Sequence, residues 1–226
     1  MRLGYACINE TLRAQGVTTN RSCIKKTWLA KGLPHVSALA LQNVKDLKKI
    51  VEWNRGANIQ VFRLTSCLFP WMTDYEFEEL PDFDEIFKVL NEVREIAQGC
   101  GQRLSFHPGQ HNVLVSPNER VVNNSIRDLT QHARIFDLMG YDADHNTKIN
   151  IHLGGAYGDH QGAMKRFCSV YRDLPDSIRK RLTVENDDKA GMFSTLMLYK
   201  GVFEEVGCPI VFDSHHFELG PQDSSY

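Results

Sequence analysis

Residues 181–187 read Arg-Leu-Thr-Val-Glu-Asn-Asp. The centre of this run is short, apolar and β-branched, which is the composition of a strand, and its last strand residue is a carboxylate, Glu185. The same pattern recurs outward in both directions. Arg103–His107, Lys148–Leu153 and Pro209–Asp213 are short apolar runs that also close on His or Asp. Toward the N-terminus, Arg2–Cys7 and Ile59–Leu64 complete a set of six. Most are flanked by Gly, Pro, Asn or Asp, and several lack polar alternation, as expected for strands buried on both faces of a parallel sheet.

Segments of helical period lie between these runs. Leu41–Asn54 places Leu41, Val44, Leu47, Ile50, Val51 and Trp53 on one stripe, with Gly56 as a stop. Asp84–Gln98 carries Ile86, Phe87, Leu90, Val93, Ile96 and Ala97 before Gly99, with Asp82 or Asp84 available as a cap. Glu119–Met139 ends before Gly140 and Met192–Val206 before Gly207, glycine being the common left-handed helix stop. The β-α-β-α rhythm predicts a single α/β domain over residues 1–226. An open doubly wound sheet and an incomplete (β/α)8 barrel with six of eight β/α units both suit six strands, since a full barrel needs about 250 residues. The acidic, aromatic stretch Pro70–Asp84 reads as a long βα loop.

Four successive predicted strands end in His107, His152, Glu185 and Asp213, with His215 and His216 directly after the last. In parallel α/β folds the carboxyl ends of the strands share one face, and the active site is built there. One such residue alone would read as a cap or a hydrogen-bonded core group, but four strands in register with the same chemistry point to a shared site. Imidazoles and carboxylates without cysteine suit Zn²⁺ or Mn²⁺, and Glu185 is placed to bridge ions. Two or three such ions can polarise a phosphoryl oxygen, supply hydroxide near neutral pH and stabilise a leaving oxygen.

Composition bounds the remaining classes. The 226 residues are 42% hydrophobic and 24% charged, which suits a globular chain and not a disordered or fibrous one. A net charge of −2 gives no sign of a dedicated basic nucleic-acid module, although a local patch is compatible with it. No apolar run reaches membrane-spanning length, and Met1–Tyr5 lacks the apolar stretch of a signal peptide. Six scattered cysteines without a C-x-x-C pair fit a reducing compartment, cytoplasmic or nuclear. No obligate protein partner is evident.

On these residues the chain resembles the UV damage endonuclease family. The matching blocks are Arg2–Tyr5 with Asn9, Thr18–Arg21, Phe62–Leu64, Leu104–Gln110, His152–Gly158, Leu182–Asp187 and Asp213–His216, in order along the chain. The resemblance implies a (β/α)8 barrel with a divalent metal cluster, Mn²⁺ being the usual assignment and Zn²⁺ or Mg²⁺ the alternatives. It implies repair of double-stranded DNA by incision immediately 5′ of pyrimidine dimers and 6-4 photoproducts. By position, His107, His152, Glu185, Asp213 and His216 match metal ligands, the first four catalytic. Tyr5, Asn9 and the pair Gln110-His111 match residues that enter the duplex at the lesion. Asn20 and Arg21 lie in a segment, Thr18–Lys26, whose cations can contact phosphates.

Two departures accompany the match. The second member of the Gln110-His111 pair is often Tyr in the family, and an imidazole stacks on a base with less apolar area. The family also carries further ligands on two later strands, so on this mapping about a quarter of the barrel and part of the cluster are expected to be missing. A sugar isomerase or epimerase on the same barrel, and a non-catalytic binder of damaged DNA, are the alternative readings.

Overall fold

The computed structural model describes residues 1–220, which divide into two compact units: Met1–His107 with Arg134–Asp142, and Pro108–Ala133 with the chain from Ala143 on. In the first unit the elements run β1 (Gly4–Ala6), α1 (Glu10–Arg13), α2 (Lys25–Gly56), β2 (Val61–Leu64), α3 (Phe83–Gly99) and β3 (Arg103–Phe106). Strand β1 pairs in parallel with β2, Tyr5 opposite Phe62, and β2 with β3, Phe62 opposite Leu104. Each parallel pair needs a long return path, and α2 and α3 supply it.

Both helices bury the stripe that their sequence period marks. α2 buries Val36, Ala40, Val44, Leu47, Ile50 and Val51, and α3 buries Ile86, Val89, Leu90, Val93 and Ala97. The two helices pack on each other, and Phe62, Leu64, Leu104 and Phe106 supply the strand side of the core. Each of these large apolar side chains contributes about 1.5–3 kcal/mol by leaving water. The sequence reading began α2 at Leu41, whereas its helical course starts at Lys25 and is interrupted at Gly32, whose φ is 58°. Gly32 and Pro34 break the periodic pattern there, which hid the first turns. Glycine is required at position 4, because a Cβ there would lie 2.5 Å from the Val61 carbonyl oxygen.

The second unit holds most of α4 (Glu119–Leu138), then β4 (Ile149–His152), α5 (His160–Asp173), α6 (Asp176–Arg179), β5 (Leu182–Glu185), α7 (Thr195–Leu198), α8 (Glu204–Val206), β6 (Ile210–Val211) and α9 (Ser214–Leu219). A π-helical turn, Tyr199–Phe203, joins α7 to α8. β4 pairs in parallel with β5, placing His152 opposite Glu185, and β5 with β6, placing Glu185 opposite Val211. Every residue of β5 is buried, as expected for a strand covered on both faces of a parallel sheet. Arg181, read as the first strand residue, lies just before β5 and is fully buried. Its Nε donates to Thr147 Oγ1 (3.2 Å) and its Nη1 to the Ala133 and Ser177 carbonyls (3.4 and 3.1 Å), so the charge is spread over acceptors.

Helix α5 was not among the sequence expectations. Asp159 caps it by accepting from the Gly162 amide (2.9 Å), and it buries Ala163, Met164, Phe167, Cys168 and Tyr171. All six cysteines are free thiols. Among the described residues no helix is long and apolar enough to cross a membrane.

Candidate metal centre

The second unit brings together four of the five ligand candidates. His152 closes β4 and Glu185 closes β5, and their paired register puts the two side by side, with His152 Nε2 3.7 Å from Glu185 Oε1. Asp213 ends the loop after β6 and caps α9, its Oδ1 accepting from the His215 and His216 amides (2.8 and 2.9 Å). That cap turns His216 back, so that its Nδ1 lies 3.2 Å from Glu185 Oε1 and 3.8 Å from Asp213 Oδ2. Donor atoms of Glu185, Asp213 and His216 all fall within 4.8 Å of one another. The His152 and His216 rings are 5.3 Å apart between centroids.

Each donor is held from behind. Asn150 precedes His152 by two residues and so faces the same side of β4. Its Nδ2 donates to Glu185 Oε2, and its Oδ1 accepts from the Thr183 hydroxyl (2.8 Å). This Thr183–Asn150–Glu185 relay fixes one carboxylate oxygen and directs the other toward the imidazoles. Asp187 Oδ1 lies 3.2 Å from His152 Nδ1, while its Oδ2 accepts from the Phe193 amide (3.3 Å). A carboxylate beside Nδ1 favours a proton there, the arrangement found behind metal-bound histidines. Asn186 ties the loops together through paired bonds with the Asp213 backbone (both 2.9 Å).

Electrostatics follow from this crowding. Burial alone pushes the His152 pKa down, but Asp187, then Glu185 and Asp188, outweigh it and raise the pKa above the usual imidazole value. Burial pushes the Asp213 carboxyl up, and the His216 amide and ring with the His215 amide reverse this, leaving it below the usual carboxylate range. Three carboxylates and two imidazoles so close together favour a compensating cation, and the absence of cysteine favours a hard or borderline divalent ion. The residues present therefore fit a divalent metal site.

The site opens into a cleft of about 200 Å³, lined by Gln110, Asn112, His152, Asp187, Lys189 and His216 among others. Gln110 is exposed there, and His111 beside it is 73% exposed. At its back, Gly154 adopts φ 96°, and a Cβ would meet Val113 Cγ1 at 2.7 Å, so only glycine fits this turn.

The other sequence candidates belong to the first unit. His107 follows β3, with its carbonyl accepting from Ser66 Oγ (3.2 Å). The half-buried Tyr5 donates its hydroxyl to Asn54 (2.7 Å) and receives the Asn9 amide (2.7 Å). Asn9 is 5% exposed and also caps α1 through the Leu12 amide (3.0 Å). Arg21 pairs with Asp46 (2.8 Å) and bonds the Gly16 carbonyl (3.0 Å), while the exposed Asn20 accepts from Thr18. Sequence reasoning assigned no role to Asn150 or Asp187. The period-two spacing back from His152 and the acidic residue two after Glu185 were the available signals.

Alternating parallel strands and helices, with His152 and Glu185 at strand carboxyl ends, place the chain in the α/β class, of the (β/α)8 type. The crystal structure of SacUVDE superposes on all of this chain and 73% of that one, with a TM-score of 0.85 and 32% identity. D-psicose 3-epimerase from Clostridium cellulolyticum H10 superposes on 80% of this chain and 62% of its own, with a TM-score of 0.56 and 14% identity, a likeness of fold alone.

The UV-endonuclease UvdE family model matches residues 1–226, and the chain belongs to that family. The UV-damage endonuclease of Schizosaccharomyces pombe is 37% identical over 97% of this chain and 37% of its own length. The UV DNA damage endonuclease of Clostridium perfringens is 32% identical over all of this chain and 52% of its own. The chain thus spans between about a third and about a half of these relatives.

Proposed function

We propose that this chain carries a metal-dependent repair endonuclease site that incises double-stranded DNA immediately 5′ of UV lesions, pyrimidine dimers and 6-4 photoproducts. The observation that carries the reading is that Gln110 lines the same cleft as His152, Asp187 and His216. A residue that the family resemblance assigns to the lesion thus stands beside the donors that would serve the scissile phosphate.

His152, Glu185, Asp213 and His216 would hold the divalent cations, Mn²⁺ by the family's habit. When bound, such ions polarise the phosphoryl oxygens and supply a nucleophilic hydroxide near neutral pH. The chain's own residues do the rest. Asn150 keeps the Glu185 carboxylate in one orientation, and the Asp187 carboxylate, 3.2 Å from His152 Nδ1, would favour a proton there. Lys189 brings a cation to the cleft wall, where a backbone phosphate would pass. A lesion already weakens pairing and stacking, so flipping it costs less than flipping an ordinary base. Gln110 would fill the gap and His111 would stack on an unpaired base. Tyr5, held by the buried Asn9, would contact the duplex from the first unit, with Asn20 and Arg21 at the phosphates.

The test is incision of an end-labelled, UV-irradiated duplex in Mn²⁺. The expected product is a single nick 5′ of the lesion, absent from unirradiated duplex and from a Glu185→Gln variant. Binding that weakens steeply with salt would accompany it, because phosphate contacts release counterions. Incision no greater than that of the variant would overturn the reading.

A further inference from the structure

Helix α4 presents Ser125, Asp128 and His132 three and four residues apart, on one face. This face meets the turn Pro108–Val113, which carries Gln110 and His111. Ser125 Oγ accepts from the Val113 amide (2.9 Å) and donates to the Val121 carbonyl (2.9 Å). Asp128 Oδ2 accepts from Asn112 Nδ2 (2.8 Å) and stands 3.7 Å from the His111 ring nitrogen Nε2. The fully buried His132 backs the carboxylate, its Nδ1 lying 3.5 Å from Oδ2 and 2.9 Å from the Asp128 carbonyl.

Asn112 is the link between helix and turn. It is 3% exposed, and its Nδ2 and backbone amide both donate to the Gly109 carbonyl (3.1 and 3.0 Å). One side chain therefore closes the turn on itself and fastens it to α4. The closure brings the His111 ring over Gly109, where a Cβ would lie 2.8 Å from it and would have to displace it. A buried amide clamped between a carbonyl and a carboxylate is a costly arrangement to break, since a bond to a charged acceptor is among the stronger hydrogen bonds.

We infer that Asp128 is a positioning residue for damage recognition: through Asn112 it fixes the turn that presents Gln110 at the cleft, with His111 beside it. The functional half rests on the endonuclease reading above, whereas the ordering of the turn rests on the geometry alone. Loss of the carboxylate frees the turn and weakens selection of the lesion, while the metal donors, carried on other elements, stay in place.

The experiment compares the wild-type chain with Asp128→Ala and Asp128→Asn, the latter keeping an oxygen to accept from Asn112. Amide hydrogen exchange is followed over residues 108–116, together with KM and kcat for an irradiated duplex and Mn²⁺ binding. Asp128→Ala is expected to exchange at least tenfold faster in this segment and to raise KM at least tenfold, with kcat and Mn²⁺ binding within about threefold of wild type. Asp128→Asn is expected to recover most of both losses. Unchanged exchange would overturn the inference. So would a joint fall of kcat, Mn²⁺ binding and melting temperature, which would mark Asp128 as merely structural. If the wild type itself showed no preference for irradiated DNA, the endonuclease reading would fail and take the functional half with it, a result recognisable because it involves no variant.

Discussion

Replacing Asn150 by valine removes one hydrogen bond whose consequence can be worked from the site. Valine is β-branched and apolar, so it suits a buried strand while removing both polar groups of the amide. The change withdraws the donor from Glu185 Oε2 and the acceptor from the Thr183 hydroxyl. A bond to a charged acceptor contributes about 1.5–3 kcal/mol. At about 1.36 kcal/mol per decade this corresponds to roughly 10–150-fold in affinity for a cation that needs the Glu185 carboxylate held still. Losses on removing partners behind metal ligands fall in the same range, about 10–100-fold. Titration calorimetry with Mn²⁺ is expected to show a 10–100-fold weaker site in Asn150→Val, and the companion Thr183→Val, added to the first change, should alter this little. In a Glu185→Gln background the effect of Asn150→Val should disappear, because the two act through one group. Affinity within twofold of wild type in a folded Asn150→Val variant would refute the reasoning.

Three further outcomes are expected. Burial pushes the Asp46 carboxyl up, but Lys49, the Thr18 amide and Arg21 bring it below the usual range. Asp46→Asn should therefore cost about 2 kcal/mol at pH 7. A depressed folded pKa stabilises above the unfolded value, so the gap should close as pH falls below about 4, read as urea midpoints across pH. Gly154→Ala combines a positive φ with the Val113 contact and should lower stability by about 1–3 kcal/mol in the same assay. Arg181→Met withdraws donors from Thr147 and from the Ala133 and Ser177 carbonyls. The expected loss of about 3 kcal/mol would lower the melting temperature by about 6–12 °C, whereas an unchanged value would show that those carbonyls find other donors.

The six strands were legible because each is a short β-prone run between turn residues, and the structure starts and ends each of them within two residues of those runs. The convergence of His152, Glu185 and Asp213 was legible for a topological reason, since parallel strands align their carboxyl ends. Asn150 was not, because a polar residue inside an apolar run acquires meaning only from its neighbour across the ladder, here Thr183. Asp187 sat in a motif but showed its purpose only when a loop folded it onto His152 Nδ1. Helix α5 was obscured by the glycine-rich stretch before it and by Gly162 in its first turn. Asp128 is one charge among several on α4, and nothing in the local pattern marks it as the anchor of a turn earlier in the chain.

The most direct test of the account is anomalous diffraction from crystals of the chain grown with Mn²⁺. The account requires an ion in the cleft, bonded to Glu185 Oε1 and to His152 or His216 at about 2.0–2.2 Å. A well-ordered cleft with no anomalous peak at saturating Mn²⁺, or ions seated only on other surfaces, would contradict it.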